Sequence, residues 1–259
     1  MQTKRYGAGR PVVLVHGLGS SGETWKPIIP ALAAEHEVIA PDLPGFGETP
    51  PLNGHVTIAT LADALASYLT DNGLEDADLV GSSMGARLVL ELARRQVGGA
   101  VVALDPGGFW TSGQVRYFNL TLGPSIKLVR ALRPALPVLM SNPVGRTALL
   151  AQFSARPWAL PSDLALHELR TIADGPSTDA AFQALVHGPL QEGMDVGTAR
   201  GPIVIGWGRQ DRVTLPSQAS RAAALFPDAT LHWFEKCGHF PHWDQPEQTA
   251  ELILKTIDR

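Results

Sequence analysis

The sequence predicts an α/β fold, a mostly parallel sheet with helices on both faces and a helical segment inserted into it. Three observations carry that prediction. The runs Pro11–Val15, Ala77–Val80, Ala100–Leu104 and Pro202–Trp207 are apolar without period-two alternation, the pattern of strands buried on both faces. Segments with helical spacing separate them, as at Leu61, Leu65 and Leu69. Between residues 109 and 198 this alternation stops and proline-broken helical segments replace it. A chain of 259 residues can build one large domain of this kind, with a core over 1–108 and 199–259 and a helical cap over 109–198.

Taken in order, Pro11–Val15 is the first expected strand and ends at His16-Gly17-Leu18-Gly19-Ser20-Ser21-Gly22, with a helix over Glu23–Glu35. Gly17, Gly19 and Gly22 spell G-x-G-x-x-G, and Asp42 follows the second expected strand, Glu37–Ala40. That is also the fingerprint of a dinucleotide-binding oxidoreductase. The oxidoreductase reading leaves the later serine and histidine motifs without a role. The same glycines suit a loop that turns backbone N–H groups toward a developing oxyanion, with Leu18 as one candidate donor. His16 reads as a brace for this loop.

A helix over Ile58–Leu69 leads to the strand Ala77–Val80, which stops at Gly81-Ser82-Ser83-Met84-Gly85 before a helix over Met84–Arg95. This is the G-x-S-x-G elbow, a sharp strand-to-helix turn that lifts a serine hydroxyl clear of the sheet. Ser83 is the candidate nucleophile and the Met84 N–H the second candidate oxyanion donor. Ala100–Leu104 then ends at Asp105. In the inserted stretch, helices are expected over 126–132, 145–153, 162–173 and 178–186, kept short by prolines. Its aromatic residues Phe109, Trp110, Phe153 and Trp158, with Phe240 from a later motif, are candidates to line an apolar substrate pocket. Lys127, Arg130 and Arg133 read as a solvated helix face. The core resumes with Pro202–Trp207, ending in Gly208-Arg209-Gln210-Asp211, then a helix over Ser217–Leu225 and a strand over Thr230–Phe234 ending at His239. A last helix spans Pro246–Ile257.

The order nucleophile, acid, base therefore falls on Ser83, Asp211 and His239. A serine hydroxyl is barely ionised at neutral pH, so a histidine must take its proton, and a carboxylate must hold that histidine in the right tautomer. Asp105 is the rival acid, since it also follows a strand. No paired acids point to glycoside hydrolysis, and no His-x-x-x-His or acidic cluster has metal spacing. Neither a metal nor a cofactor is expected.

Composition narrows the partners. Lys and Arg total 21 against 25 Asp and Glu, a formal charge of -4, which provides no attraction for nucleic acid or an anionic membrane. A small ester or related acyl compound is the expected partner. Cys237 is the only cysteine, so no internal disulfide and no cysteine-held metal is expected. Neither a signal segment nor an apolar span is legible, and the expected location is cytoplasmic.

The segments His16–Gly19, Asp42-Leu43-Pro44-Gly45-Phe46-Gly47, Gly81–Gly85, Gly208–Asp211 and Gly238–Pro246 together resemble the α/β-hydrolase superfamily, in its usual order. The resemblance implies an eight-strand-type sheet, or one that lacks its first strands, a cap over the site, and a serine hydrolase acting on carboxylic esters. It also admits carbon–carbon bond hydrolases, thioesterases and perhydrolases. Many relatives carry Gly where this chain has Ala86, and the following Arg87 resembles the menaquinone-pathway lyases of this fold; on its own it reads as a helix-surface arginine. A ligand receptor that keeps the pocket without turnover is a reading of another class.

Overall fold

Successive side chains of a strand point to opposite faces, and in β2 (Arg10–Val15) both faces are apolar. Val13 and Val15 join one buried cluster and Val12 and Leu14 the other. The computed structural model, which describes residues 1–258, repeats this pattern across the sheet. In chain order the remaining elements are β1 (Thr3–Tyr6), α1 (Ile29–Leu32), β3 (His36–Pro41), α2 (Ile58–Asp71), β4 (Asp78–Ser82), α3 (Met84–Arg94) and β5 (Val101–Leu104). Five helices follow before the sheet resumes: α4 (Ser112–Ala131), α5 (Leu136–Ser141), α6 (Pro143–Leu150), α7 (Ser162–Asp174) and α8 (Thr178–His187). The chain closes with β6 (Ile203–Gly208), α9 (Ala219–Leu225), β7 (Thr230–Phe234), α10 (Pro241–Asp244) and α11 (Pro246–Ile257).

The seven strands lie in the order β1-β3-β2-β4-β5-β6-β7, all parallel except β1, which runs antiparallel to β3. Helices α1 and α11 cover one face through Ile29, Leu32, Ile253 and Ile257. On the other, α2 and α3 pack through Leu61, Leu65, Leu88 and Leu92, and the apolar side of the inserted helices is continuous with that layer. The chain reverses direction in strand order at β2, so the carboxyl ends of β2, β4, β5, β6 and β7 converge where α/β sheets bind ligands. Among the described residues no helix is long and apolar enough to cross a membrane.

Several elements differ from the sequence expectation. The helix expected over Glu23–Glu35 is a 3₁₀ turn at Gly22–Trp25 followed by the single turn α1. Pro27 and Pro30 remove the N–H groups a continuous helix would need. In the insertion, the helix expected to begin near Ile126 starts fourteen residues earlier, at Ser112, and runs through Pro124. A capping box between Thr111 and Gln114 starts it. Pro124 is tolerated because it and Leu120, whose carbonyl loses its partner, both face solvent. The polar edge strand β1 has no apolar run to announce it, and with it the sheet has seven strands rather than eight.

The turn from β4 into α3 is packed backbone against backbone. A Cβ on Gly85 would lie 2.1 Å from the Val15 carbonyl oxygen, and one on Gly81 would lie 2.4 Å from that of Gly85. Backbone at both contacts cannot yield as a side chain can. Gly85→Ala should therefore destabilise the protein by about 1–3 kcal/mol or more, as overpacking does. Urea denaturation checks this, and an unchanged midpoint would contradict the packing.

Candidate active site

Ser83 joins β4 to α3 with φ 56° and ψ −114°, outside the conformations a serine ordinarily adopts. The strain is held from both sides: the Ser83 N–H donates to Leu104 O at 2.9 Å, and Ser83 O accepts from Gly107 N at 3.3 Å. The result is a hydroxyl standing above the sheet. His239, on the loop after β7, brings its Nε2 to 2.8 Å from Ser83 Oγ. Its Nδ1 lies 2.9 Å from Asp211 Oδ2.

Asp211 follows β6 in a turn that saturates its carboxylate. Oδ1 accepts from the Val213 and Thr214 N–H groups, at 2.7 and 3.1 Å, and Oδ2 from the Thr214 hydroxyl at 2.6 Å. These donors complement a negative charge and fix the oxygen that faces His239. Asp105, the rival acid, is also buried here, and its carboxyl, that of Asp211 and the His239 ring lie within 4.8 Å of one another. Its Oδ1 accepts from Gly208 N at 2.8 Å, but Oδ2 has no partner. Burial, reinforced by the Asp211 charge, raises the Asp105 pKa well above the ordinary carboxylate range. Two adjoining acids thus differ in role: Asp211 reaches the histidine, and Asp105 underlies it.

The loop after β2 lies directly beside the serine. A Cβ on Gly17 would be 3.1 Å from Ser83 Cβ, which explains why a glycine occupies this position. Leu18 and Met84 share the wall of the cavity in which Ser83 and His239 lie. Met84 begins α3, so its N–H has no intrahelical acceptor. His16 spans two loops: its Nδ1 lies 2.8 Å from Gly17 O, and its Nε2 accepts from Leu43 N at 2.9 Å. Burial lowers its pKa, consistent with a neutral brace. Asp42 has the opposite consequence for the dinucleotide reading. Its carboxylate oxygens accept from Gly22 N and Glu48 N at 2.8 and 2.9 Å, so it is occupied in holding turns together.

A narrow, partly open cavity lies above Ser83. Trp110, Phe153 and Phe240 line it as expected, joined by Phe118, Leu122, Ile172, Leu185, Val213 and Thr214. Two expected pocket residues do not. Phe109 is buried against Phe226, with ring centroids 6.0 Å apart, on the far side of its loop. Trp158 lies in a 3₁₀ turn that buries Pro157 and leaves the indole 52% exposed. Leu122 was findable as the i+4 neighbour of Phe118 on the apolar face of α4. Arg87 is not on the helix surface: it is buried beneath Gly108, donates to Pro189 O, and burial lowers its pKa to about 10.

Asp244 is the residue whose structural part the motif alone did not reveal. Its Oδ2 accepts from Gly238 N and Ala155 N at 2.7 and 2.8 Å, and its Oδ1 from Ser154 Oγ at 2.5 Å. The His239 N–H donates to Phe153 O at 2.7 Å. The histidine loop is thus pinned to the insertion by its own backbone.

A serine, histidine and carboxylate in this geometry, on a parallel sheet at its strand ends, are the arrangement that the G-x-S-x-G elbow presents in the α/β-hydrolase class. The chain belongs to the alpha/beta hydrolase family, whose model matches residues 12–252. Its sequence is 32% identical over 265 residues to the 2-hydroxy-6-oxo-2,4-heptadienoate hydrolase of Pseudomonas putida, covering 97% of this chain and 89% of that one. Among solved structures, the meta-cleavage product hydrolase of Pseudomonas fluorescens superposes with a TM-score of 0.78 at 24% identity, over 99% and 93% of the two chains. The esterase of Exiguobacterium antarcticum superposes with a TM-score of 0.79 at 18% identity, over 99% and 95%.

The two acids separate on substitution. Asp211→Asn should lower kcat by about 10⁴-fold, as removal of a histidine-orienting carboxylate does, while Asp105→Asn should cost less than about tenfold because an amide also replaces a neutral carboxyl. With its pKa raised on folding, Asp105 keeps a proton that the unfolded chain loses above about pH 4, so its contribution to stability declines as pH rises. Asp105→Asn should flatten that decline in denaturation curves measured across pH. A larger kcat loss from Asp105→Asn than from Asp211→Asn would reverse the assignment of the acid.

Proposed function

We propose that the protein is a carboxylic ester hydrolase working through an acyl-enzyme. The observation that carries this reading is the unbroken relay from Asp211 through His239 to Ser83 at the floor of an apolar cavity. Ser83 Oγ attacks the ester carbonyl carbon as His239 Nε2 takes its proton. Asp211 holds the resulting imidazolium at Nδ1, and the Leu18 and Met84 N–H groups receive the oxyanion. His239 then returns the proton to the departing alkoxide, and the alcohol leaves. Water, deprotonated by the same histidine, attacks the acyl-serine and releases the acid.

The cavity wall favours a neutral, apolar substrate. Leu18, Met84, Trp110, Phe118, Leu122, Phe153, Ile172, Leu185, Val213 and Phe240 supply most of it, and among the described residues no Lys or Arg contributes. A carboxylate buried there would lack a counter-charge, at a cost of several kcal/mol on the order of that for an unpaired buried ion. This weighs against the second reading, carbon–carbon cleavage of a hydroxy-oxo-dienoate. That reading rests on the P. putida relative, whose named substrate is such an acid. The five inserted helices would then act as the cap that shields the acyl group from water.

Ser83→Ala should leave folding intact and lower kcat on p-nitrophenyl butyrate by about 10⁵-fold, since nucleophile and base act as a unit. Wild type should prefer this ester over a 2-hydroxy-6-oxo-dienoate in kcat/KM. Faster turnover of the dienoate would transfer the assignment to carbon–carbon hydrolysis. Serine labelling by a fluorophosphonate without turnover of any ester or dienoate would mark a ligand receptor instead.

A further inference from the structure

A second cavity, narrow and partly open, adjoins the first and shares Leu18, Phe153, Ile172 and Phe240 with it. Its other walls are Leu150, Leu169 and Trp243, with Gly19, Ser20 and a single acid, Glu168 of α7. Glu168 is 6% exposed. Its Oε2 accepts from Ser20 Oγ at 2.8 Å, whereas Oε1 has no hydrogen-bond partner. The Thr24 hydroxyl lies 3.1 Å from both His242 Nε2 and Trp243 Nε1 and also bears on the Glu168 carboxyl. A buried oxygen without a partner is costly, and the proposed mechanism gives Glu168 no part.

We propose that this cavity is a second arm of the substrate site, in which the Glu168 carboxyl recognises a neutral hydroxyl group carried along the acyl chain. The proposal rests on the esterase reading for the orientation of the chain. An acyl group attached at Ser83 that passes between Leu18 and Phe153 enters a space whose only polar side chains are Ser20 and Glu168. A hydroxyl both donates and accepts, so it satisfies Oε1 whichever carboxyl oxygen bears the proton. Burial independently favours the uncharged acid, raising the Glu168 pKa to about 8. An ammonium group would instead need an ionised partner and would lose its water among leucines and aromatic rings. The arm therefore selects hydroxylated over plain acyl chains.

The test uses the full-length Ser83→Ala protein, which binds esters without consuming them, and tryptophan fluorescence, since Trp243 forms part of the arm. Methyl esters of ω-hydroxyalkanoic acids, graded in length, are compared with their unsubstituted counterparts. At the matching length the hydroxy ester should bind about tenfold more tightly, equivalent to about 1.4 kcal/mol. Adding Glu168→Gln should keep most of that preference, because an amide also donates and accepts, and adding Glu168→Leu should abolish it. Equal affinity for the paired esters at every length would overturn the proposal, as would tighter binding of an ω-ammonium ester. Wild-type hydrolysis of the unsubstituted p-nitrophenyl esters reads the esterase assignment separately. A hydroxyl preference in binding with no ester turned over would refute that assignment and leave the arm standing.

Discussion

The contact on which the site depends is backbone against backbone, where α3 starts beneath the end of β2. The helix can begin this close to the sheet only because Gly85 presents no side chain to Val15 O and Gly81 none to Gly85. The closeness forces the residue between them into a left-handed conformation. Ser83 accepts that strain because its N–H and carbonyl are both paired with the β5 end and the loop beyond it. A nucleophile held this way needs no side-chain contact to keep its hydroxyl in place.

The proposed base is held by a different principle. His239 lies on a loop, and loops drift unless something fixes them. Here the fixing comes from Asp244, which gathers Gly238, Ser154 and Ala155, and from the Phe153 carbonyl that accepts the histidine N–H. One of these segments, residues 153–155, lies in the insertion just after α6. The insertion therefore does more than form a wall, because displacement of residues 153–155 would move the histidine away from Ser83. Pocket shape and base position are mechanically linked through this one acid.

How much of this was legible in the sequence follows from what each feature depends on. The strands β2, β4, β5 and β6 announced themselves because burial on both faces demands unbroken apolar runs. Ser83 and Asp211 stood out as candidates because each follows such a run, and His239 because it follows the last strand, β7, in the order the proposed chemistry needs. The edge strand β1 was not, since Thr3–Tyr6 has polar residues on its solvent side and is recruited by pairing with β3. Arg87 misled for a related reason. Its helical position gives no sign that a glycine-rich loop folds over the guanidinium, and only the tertiary contact with Gly108 and Pro189 reveals it. Phe109 and Trp158 likewise had the right composition for a pocket, but composition does not say which side of a turn faces inward.

Three buried carboxyl groups lie near the cavity, and the supply of hydrogen-bond donors separates their roles. Asp211 receives two N–H bonds, a hydroxyl bond and the histidine contact, a set that complements an anion beside an imidazolium. Asp105 receives one backbone N–H and abuts Asp211, so burial and like charge both oppose its ionisation. Glu168 receives the Ser20 hydroxyl, and burial, reinforced by the Glu23 charge, has the same effect. Asp105 and Asp211 adjoin, and a low-dielectric site holds two such negative charges only at large electrostatic cost. Of the three, Asp211 has the most donors, and it is the carboxylate that reaches His239.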